Sequence, residues 1–280
     1  MSAIYSAETS NRKDFVAKIM KIFKTQLDQA NSIFIKPNIV SSEPYPTTTH
    51  PKILDALLSH LSDRKLIVGD GHAVDTGYTK NILADSPLKE ICSHHGVELV
   101  NLYKKKMKKW TSPRGYTIKR STLPLECDFI ISLPVLKVHK QCGLSGALKN
   151  QFGYLSKLDR ILMHAKIKNL HKGIAEVNVA YSTNLFIVDA VETLTKAQEY
   201  RHGGCPAKLG TIIAGIDPVS LDTFGQKLLQ KVDINLEENI KHLNYAQEYG
   251  VGKKDYRIIK ILGRYAFKLK KEGFCGKNHH

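Results

Sequence analysis

DFIISLPVLKVH, residues 128–139, places a short apolar run directly before a lysine and a histidine. The run Phe129–Leu133 has the length and the β-branched content of a buried strand. Similar runs occur elsewhere in the chain, at Ser32–Lys36, Lys65–Gly69, Leu185–Val188 and Thr211–Ala214. Because helical patterns separate these runs, we predict an α/β fold with a mainly parallel β-sheet and helices on both of its faces.

Three further segments extend this prediction. An amphipathic helix is expected from near His50–Pro51, with Thr49 as its N-cap. Val97–Tyr103 has the composition of another strand. Tyr256–Leu262 fits either a strand or an amphipathic helix, and the pattern leaves both open.

The formal net charge of +16 is concentrated in two patches. Lys104–Arg120 has eight basic residues and no acid, and the C-terminal extension Lys253–Lys277 has nine basic residues against two acids. Within the first patch Tyr116–Ser121 alternates like an exposed strand, so we predict a basic β-hairpin insertion there. Each patch is either a solvated face or a surface for an anionic partner: an acidic protein, nucleic acid, lipid or metabolite. Trp110 and Tyr116 would add stacking on bases.

Length, hydropathy and cysteine spacing exclude several classes of protein. The 280 residues suffice for a single α/β domain, and 42% of them are hydrophobic. No apolar run approaches the roughly 20 residues that cross a bilayer, and no secretion signal is recognisable, so we expect a cytoplasmic protein without a transmembrane segment. The five cysteines include no Cys-x-x-Cys pair, which argues against a disulfide framework or a compact iron–sulfur motif. Cysteines that are distant in the sequence could still ligate one cluster together, so the sequence does not identify a cofactor.

Ionisable or amide side chains follow each predicted strand of the sheet. Because ligands of open parallel sheets bind outside the carboxyl ends of the strands, we expect these side chains to converge on one crevice. Two of them also suit local roles: Asp217 precedes a proline, as a helix N-cap would, and Asp70 lies between two turn-forming glycines. The set comprises Lys36, Asn38, Asp70, His72, Lys137, His139, Asp189, Glu192, Asp217 and Asp222.

Residues 137–153, KVHKQCGLSGALKNQFG, predict a loop that enters a helix, with Ser145 in position to cap it and Lys149-Asn150 one turn inside. The free amides at such a helix start, with a nearby lysine, would hold a carboxylate or phosphate, although an ordinary capped helix explains the pattern equally well. His164 and His171 are seven residues apart, which would align them on one helix face, either as metal ligands or as ordinary histidines. The sequence contains no Walker, serine-hydrolase, zincin or dinucleotide-binding motif.

Several short motifs stand in order along the chain: Ile35-Lys36-Pro37-Asn38, Thr47–Pro51, Gly69-Asp70-Gly71, residues 128–139, Gly143–Gly153, Asp189–Glu192, Gly203-Gly204 and Ala214–Asp222. This set, over about residues 32–225, resembles the prokaryotic family known as domain of unknown function 362. The resemblance implies an α/β protein of a kind common in anaerobic bacteria and archaea. Many members add a ferredoxin-like cysteine module, which this chain lacks, and no general activity comes with the match. The residues that match its motifs are Lys36, Asn38, Lys137, His139, Lys149, Asn150, Asp189 and Asp217.

The first functional hypothesis is an enzyme that acts on a small anionic metabolite by lyase, isomerase or reductase chemistry. In this hypothesis His139, Lys137 and Asp189 are catalytic, because a crowded polar cleft shifts pKa values toward those needed for proton transfer. The substrate-binding residues are Lys36, Asn38, Ser145, Lys149 and Asn150.

Two further hypotheses belong to other classes. The second is a metal- or redox-cofactor protein that docks an acidic partner through the basic patches, with His72 and Asp217 as metal ligands beside His139 or Asp189. The third is a nucleic-acid-binding protein that uses Lys104–Arg120 and Lys253–Lys277.

Overall fold

One large β-sheet forms the centre of the computed structural model, which describes residues 1–76, 81–233 and 236–261. Most of the basic C-terminal extension, from Leu262 onward, lies outside the described residues. The strands are β1 (Ser2–Glu8), β2 (Ser32–Pro37), β3 (Lys65–Asp70), β4 (Leu99–Asn101), β5 (Met107–Thr111), β6 (Thr117–Ser121), β7 (Phe129–Leu133), β8 (Lys137–His139), β9 (Gly143–Ser145), β10 (Leu185–Thr195), β11 (Cys205–Gly215) and β12 (Tyr256–Lys260). The α-helices are α1 (Arg12–Ile22), α2 (Lys24–Asp28), α3 (Pro51–His60), α4 (Pro87–His94), α5 (Ala147–Asn150), α6 (Lys157–His164), α7 (Leu170–Ala180), α8 (Pro218–Leu229) and α9 (Lys241–Glu248).

Among the described residues, eight strands form this sheet in the order β12-β1-β11-β10-β7-β2-β3-β4. β11 runs antiparallel to its two neighbours, β1 and β10, whereas every other neighbouring pair is parallel. The prediction of a mainly parallel sheet is therefore confirmed, with β11 as the exception. Because β2, β3 and β7 run in the same direction, their carboxyl ends meet at one edge of the sheet.

Apolar side chains cover both faces of the sheet, because alternate strand residues point to opposite sides. On one face Ile33 and Ile35 pack with residues of α1, α3 and α4, such as Phe15. On the other face Phe34 packs with residues of α5 to α9, such as Ile174. The prediction of helices on both faces is confirmed, and burial of these side chains is the main favourable contribution to folding.

The helix predicted near His50–Pro51 is α3, but Thr49 is not its N-cap. The cap is His50, whose ring Nδ1 accepts a hydrogen bond from the Lys52 amide at 3.1 Å. The Thr49 hydroxyl instead donates to the Leu133 carbonyl at 2.6 Å and accepts from the Asn38 amide at 2.8 Å. Thr49 therefore joins the carboxyl ends of β2 and β7.

The predicted basic hairpin is present as β5 and β6, which pair antiparallel. Its aromatic rings do not point freely into solvent. Trp110 is half-buried against the core, with the Arg120 guanidinium 5.6 Å from its ring centroid. The Tyr116 hydroxyl donates to the Asn169 carbonyl at 2.9 Å. Both rings therefore take part in packing the hairpin onto the protein, and stacking on bases stays a prediction.

Other boundaries differ from the sequence prediction. β1 and α1 were not predicted, β4 is shorter than Val97–Tyr103, and β10 and β11 are both longer than their apolar runs. The ambiguous segment at Tyr256 is a strand. His164 ends α6 whereas His171 lies in α7, so the two histidines do not share a helix face. In the part of the chain that the structure describes, each helix is too short or too polar to span a lipid bilayer.

Candidate functional site

A cavity of about 350 Å³ opens at the carboxyl ends of β2, β3 and β7. The structure brings seven of the predicted site residues to its wall: Lys36, Asn38, Lys137, His139, Ser145, Lys149 and Asn150. This is the crevice that the strand-end argument predicts, because parallel strands deliver the residues after each strand to the same edge.

A buried ion pair forms the floor between β2 and β3. Lys36 Nζ lies 2.5 Å from Asp70 Oδ1 and also donates to the Pro37 carbonyl at 2.9 Å. Burial lowers the pKa of Lys36, while the attraction of Asp70 acts in the opposite direction. The backbone of Gly153 passes so close to this pair that a Cβ there would collide with the Asp70 carboxylate and the Lys36 amine. Glycine at this position therefore lets the chain close over the ion pair.

Lys137 lies in β8, a short strand that follows β7 beyond the edge of the sheet, and its side chain is fully buried. Its Nζ donates to the Thr47 carbonyl at 2.6 Å. Burial lowers the pKa of Lys137 to about 7, with Glu199 opposing this shift and the Lys149 charge adding to it. The amine therefore titrates close to neutral pH, which is the range required for proton transfer.

His139 ends the same strand and is buried against His164, with ring centroids 6.3 Å apart and nearly parallel. Its Nδ1 accepts a hydrogen bond from the Gln141 amide at 3.2 Å. Burial first, and then the charges of Lys149 and other neighbours, hold the pKa of His139 well below its usual value. Both effects also lower the pKa of His164 to about 3. The two imidazoles are thus neutral at physiological pH.

Two cations share the ring of Phe152. Lys149 Nζ lies 4.5 Å from the ring centroid and Arg160 Cζ lies 5.4 Å from it. Arg160 is positioned through Nη1, which donates to the carbonyls of Gly71 and His72 at 2.6 and 2.7 Å. Desolvation lowers the pKa of Lys149 to about 8, and the charge of Arg160 contributes to this shift.

The uncharged wall residues are held by the surrounding backbone. Asn150 Nδ2 donates to the Ser132 hydroxyl at 2.8 Å and to the Lys36 carbonyl at 3.3 Å. Ser145 pairs with Lys137 across the hairpin of β8 and β9. These residues shape the cavity and fix the position of its lysines.

The anion site predicted at the helix start after Gly146 is already filled by the chain itself. Asp222 Oδ1 accepts from the Ala147 amide at 2.6 Å, and Oδ2 accepts from the Leu148 amide at 2.9 Å. A Cβ on Gly146 would collide with this carboxylate. The prediction that these amides hold an external carboxylate or phosphate is therefore wrong, because a buried aspartate from α8 takes that place. Ser145 is not the cap either.

Asp189 is close in sequence to a strand end but does not line the cavity. Its carboxylate is buried and bound by Arg12, with Nε 2.6 Å from Oδ2, and by the Tyr45 hydroxyl at 2.8 Å. The strand does not end at this point, because β10 continues to Thr195. Asp189 therefore pairs with helix α1 and is not among the residues that line the cavity.

The two metal candidates, His72 and Asp217, do not line the cavity, although the neighbours of His72, Gly71 and Ala73, do. His72 Nδ1 interacts with the Ala73 carbonyl at 2.9 Å. Asp217 caps α8 by accepting from the amides of Val219 and Ser220. It lies at the opposite edge of the sheet, because the antiparallel β11 delivers its carboxyl end there.

Comparison with known proteins connects this site to a family. The family model described as domain of unknown function (DUF362) matches residues 33–227, which include the cavity lysines Lys36, Lys137 and Lys149. The chain is a member of the DUF362 family. No curated protein matches its sequence.

Two solved structures are similar to this DUF362 protein. The lactate racemase apoprotein from Thermoanaerobacterium thermosaccharolyticum has a TM-score of 0.49 and 13% identity, and the match covers 79% of this chain and 56% of that one. A protein from Thermotoga maritima has a TM-score of 0.44 and 14% identity, over 85% of this chain and 58% of the other. The chain spans little more than half the length of each.

Sequence reasoning missed several residues at the mouth of the cavity in this DUF362 protein. Asp75, Glu199 and His202 offer side-chain ligand atoms within 4.8 Å of one another. Arg201 already binds both carboxylates, with Nη2 2.8 Å from Asp75 and Nε 2.7 Å from Glu199. Glu199 follows the true end of β10, so a correct strand length would have pointed to it. Arg160, by contrast, carries no signal in the sequence.

Proposed function

We propose that the chain is an enzyme that binds a small carboxylate or phosphate compound in this cavity and moves a proton with Lys137 and His139. The observation that carries the proposal is the charge of the wall. Lys137, Lys149 and Arg160 face the cavity, and none of them has a carboxylate within ion-pair distance among the described residues. Buried charges without a counter-ion are unfavourable, so an anionic ligand would stabilise them.

The protonation states of the wall support acid–base chemistry. Lys137, with a pKa of about 7, can donate or accept a proton near neutral pH. The neutral His139, whose Nδ1 accepts from the Gln141 amide, can donate its Nε2–H to a substrate oxygen. The cavity of about 350 Å³ suits a metabolite rather than a polymer. Lyase, isomerase and reductase reactions on an anionic substrate can all use this combination of anion binding and proton transfer.

The test is thermal stability of the purified protein with and without phosphate, oxalate and malonate. A ligand at about a hundred times its Kd should raise the free energy of unfolding by about 2.7 kcal/mol, which corresponds to a Tm increase of several degrees. Lys149→Met and Lys137→Met should remove most of this increase. Lys208→Met, which changes an exposed lysine outside the cavity, should retain it.

Two results would contradict the proposal. One is that no small anion stabilises the protein. The other is that an anion stabilises the two cavity variants as much as the parent and the Lys208→Met control, since the ligand would then bind elsewhere. Elemental analysis of protein purified without oxygen tests the metal hypothesis separately, because stoichiometric metal would favour the cofactor-protein class.

A further inference from the structure

We propose that the Lys149 amine forms an imine with the carbonyl carbon of the substrate, which is therefore a small aldehyde or ketone that carries a carboxylate or phosphate. This inference rests on the proposed function and names the substrate class of the same site. It gives Lys149 a covalent role, whereas the other lysines of the cavity wall bind the anionic group or transfer a proton.

The surroundings of the Lys149 amine select it as the nucleophile. Lys36 is paired with Asp70, and Lys137 is fully buried with its amine donating to Thr47. Lys149 is only partly buried, lines the cavity, and makes no hydrogen bond with the described residues. Its amine is therefore the one that a bound molecule can reach without first breaking an existing bond.

The permanent charge of Arg160 favours the neutral, reactive form of this amine. Both side chains contact the ring of Phe152, and a lysine beside another cation in a desolvated site is activated as a nucleophile. With a pKa of about 8, the neutral fraction of Lys149 at pH 7 is on the order of a hundredfold larger than that of an ordinary lysine. This difference separates Lys149 from the surface lysines, whereas Lys137 is set apart by its full burial and its hydrogen bond to Thr47.

The same cations would hold the anionic group of the substrate. Arg160 uses Nη1 for its bonds to the backbone, and its Nη2 makes no hydrogen bond within the described part of the chain. Lys149 and Arg160 line the same cavity, so one bound molecule can reach both side chains. A 2-oxo acid or an aldehyde acid carries the carboxylate for Arg160 and the carbonyl for Lys149.

The step balances without any further reactant. The Lys149 nitrogen attacks the carbonyl carbon, and a proton from the charged Lys137 amine turns the carbonyl oxygen into the hydroxyl of a carbinolamine. The neutral Lys137 amine then takes a proton from the attacking nitrogen and passes it to the departing hydroxyl, so that one water leaves, a protonated C=N bond forms and Lys137 is left neutral. The protonated imine withdraws electrons from the neighbouring carbon, which favours lyase or isomerase chemistry over reduction.

Reductive trapping tests this inference. The full chain is incubated at pH 7 with glyoxylate, pyruvate or pyridoxal phosphate in the presence of cyanoborohydride, and the modified residue is located by mass spectrometry of peptides. We expect one adduct per chain, on Lys149, and its suppression by excess oxalate. Lys208→Met should be labelled like the parent, whereas Lys149→Met should lose the adduct.

Lys149→Arg keeps the positive charge and cannot form an imine, so it should still be stabilised by oxalate while losing the adduct. Labelling of Lys137 or of surface lysines at the same rate, or no adduct with any of the three carbonyl probes, would overturn the inference. If oxalate still stabilises the parent in that case, only the imine is excluded. If oxalate stabilises nothing, the proposed function fails as well.

Discussion

At the residue scale, the buried amine of Lys137 makes the stability of the protein depend on pH. Its acceptor is the Thr47 carbonyl rather than a carboxylate, and burial lowers its pKa to about 7. In the unfolded chain a lysine has a pKa near 10.4. Between these two values the unfolded state binds more protons than the folded state, so stability rises with pH. Below about pH 7 the lysine is charged in both states, and the full penalty of burial applies.

We therefore expect the Tm of the ligand-free protein to rise between about pH 7 and pH 9, with Lys137 contributing at most about 1.4 kcal/mol per pH unit. Lys137→Met should reduce this dependence to the part that Lys149 and Lys36 contribute, because methionine fills a similar volume and does not titrate. The measurement is thermal unfolding across this range, with Lys208→Met as the control. Equal slopes in the parent and in Lys137→Met would show that the Lys137 amine is not desolvated.

At the scale of elements, the single turn of α5 depends on a carboxylate from α8. Asp222 accepts from the amides of Ala147 and Leu148, and Lys149 follows directly in the same turn. Asp222→Ala should leave two buried amides without acceptors and lower the free energy of unfolding by about 2–3 kcal/mol. Chemical denaturation measures this loss, and the exposed Asp63→Ala should change it by no more than about 0.5 kcal/mol. Unchanged stability of Asp222→Ala would mean that water replaces the carboxylate.

The strands also show which parts of the fold and of the site the sequence can predict. Short apolar runs correctly predicted β2, β3 and β7, and with them the cluster of Lys36, Lys137 and His139, because a parallel edge needs only strand order and direction. The direction of β11 was not encoded in its apolar run. β10 and β11 continue through polar residues, which leaves a connection over 196–204 that is shorter than the roughly twelve residues of a parallel crossover. The prediction that Asp217 joins the other strand-end residues assumed a parallel β11, and it is wrong because β11 is antiparallel.

Tertiary contacts account for the remaining errors. Asp189 pairs with Arg12 across most of the chain, and Asp222 reaches Ala147 from another helix. Neither contact has a local pattern, so a carboxylate used to hold the fold looks the same in the sequence as one that faces a substrate. Only the structure shows which partner each carboxylate contacts and whether that carboxylate lines the cavity.

At the scale of the whole molecule, the β5–β6 hairpin carries exposed lysines while its aromatic rings pack inward. The exposed lysines of this surface therefore offer a nucleic acid or another polyanion an electrostatic contact. We expect any DNA binding to be independent of sequence and to weaken at least about tenfold between 50 and 200 mM salt. Reversing Lys106, Lys108 and Lys109 to glutamate should abolish it in a fluorescence-anisotropy titration. Binding that discriminates between sequences, or that survives this reversal, would contradict an electrostatic surface.

The position of β1 has a consequence for the order in which the molecule is built on the ribosome. β1 precedes the other described strands along the chain, yet it lies between β11 and β12, which are the last two of them. The parallel centre of β2, β3 and β7 has all its strands once residue 133 has emerged, whereas β1 waits for residues 205–260. Such distant pairing slows folding and leaves an unpaired strand exposed during synthesis. The nascent chain thus has the three parallel strands at the centre of its sheet before β1 can be paired on either side.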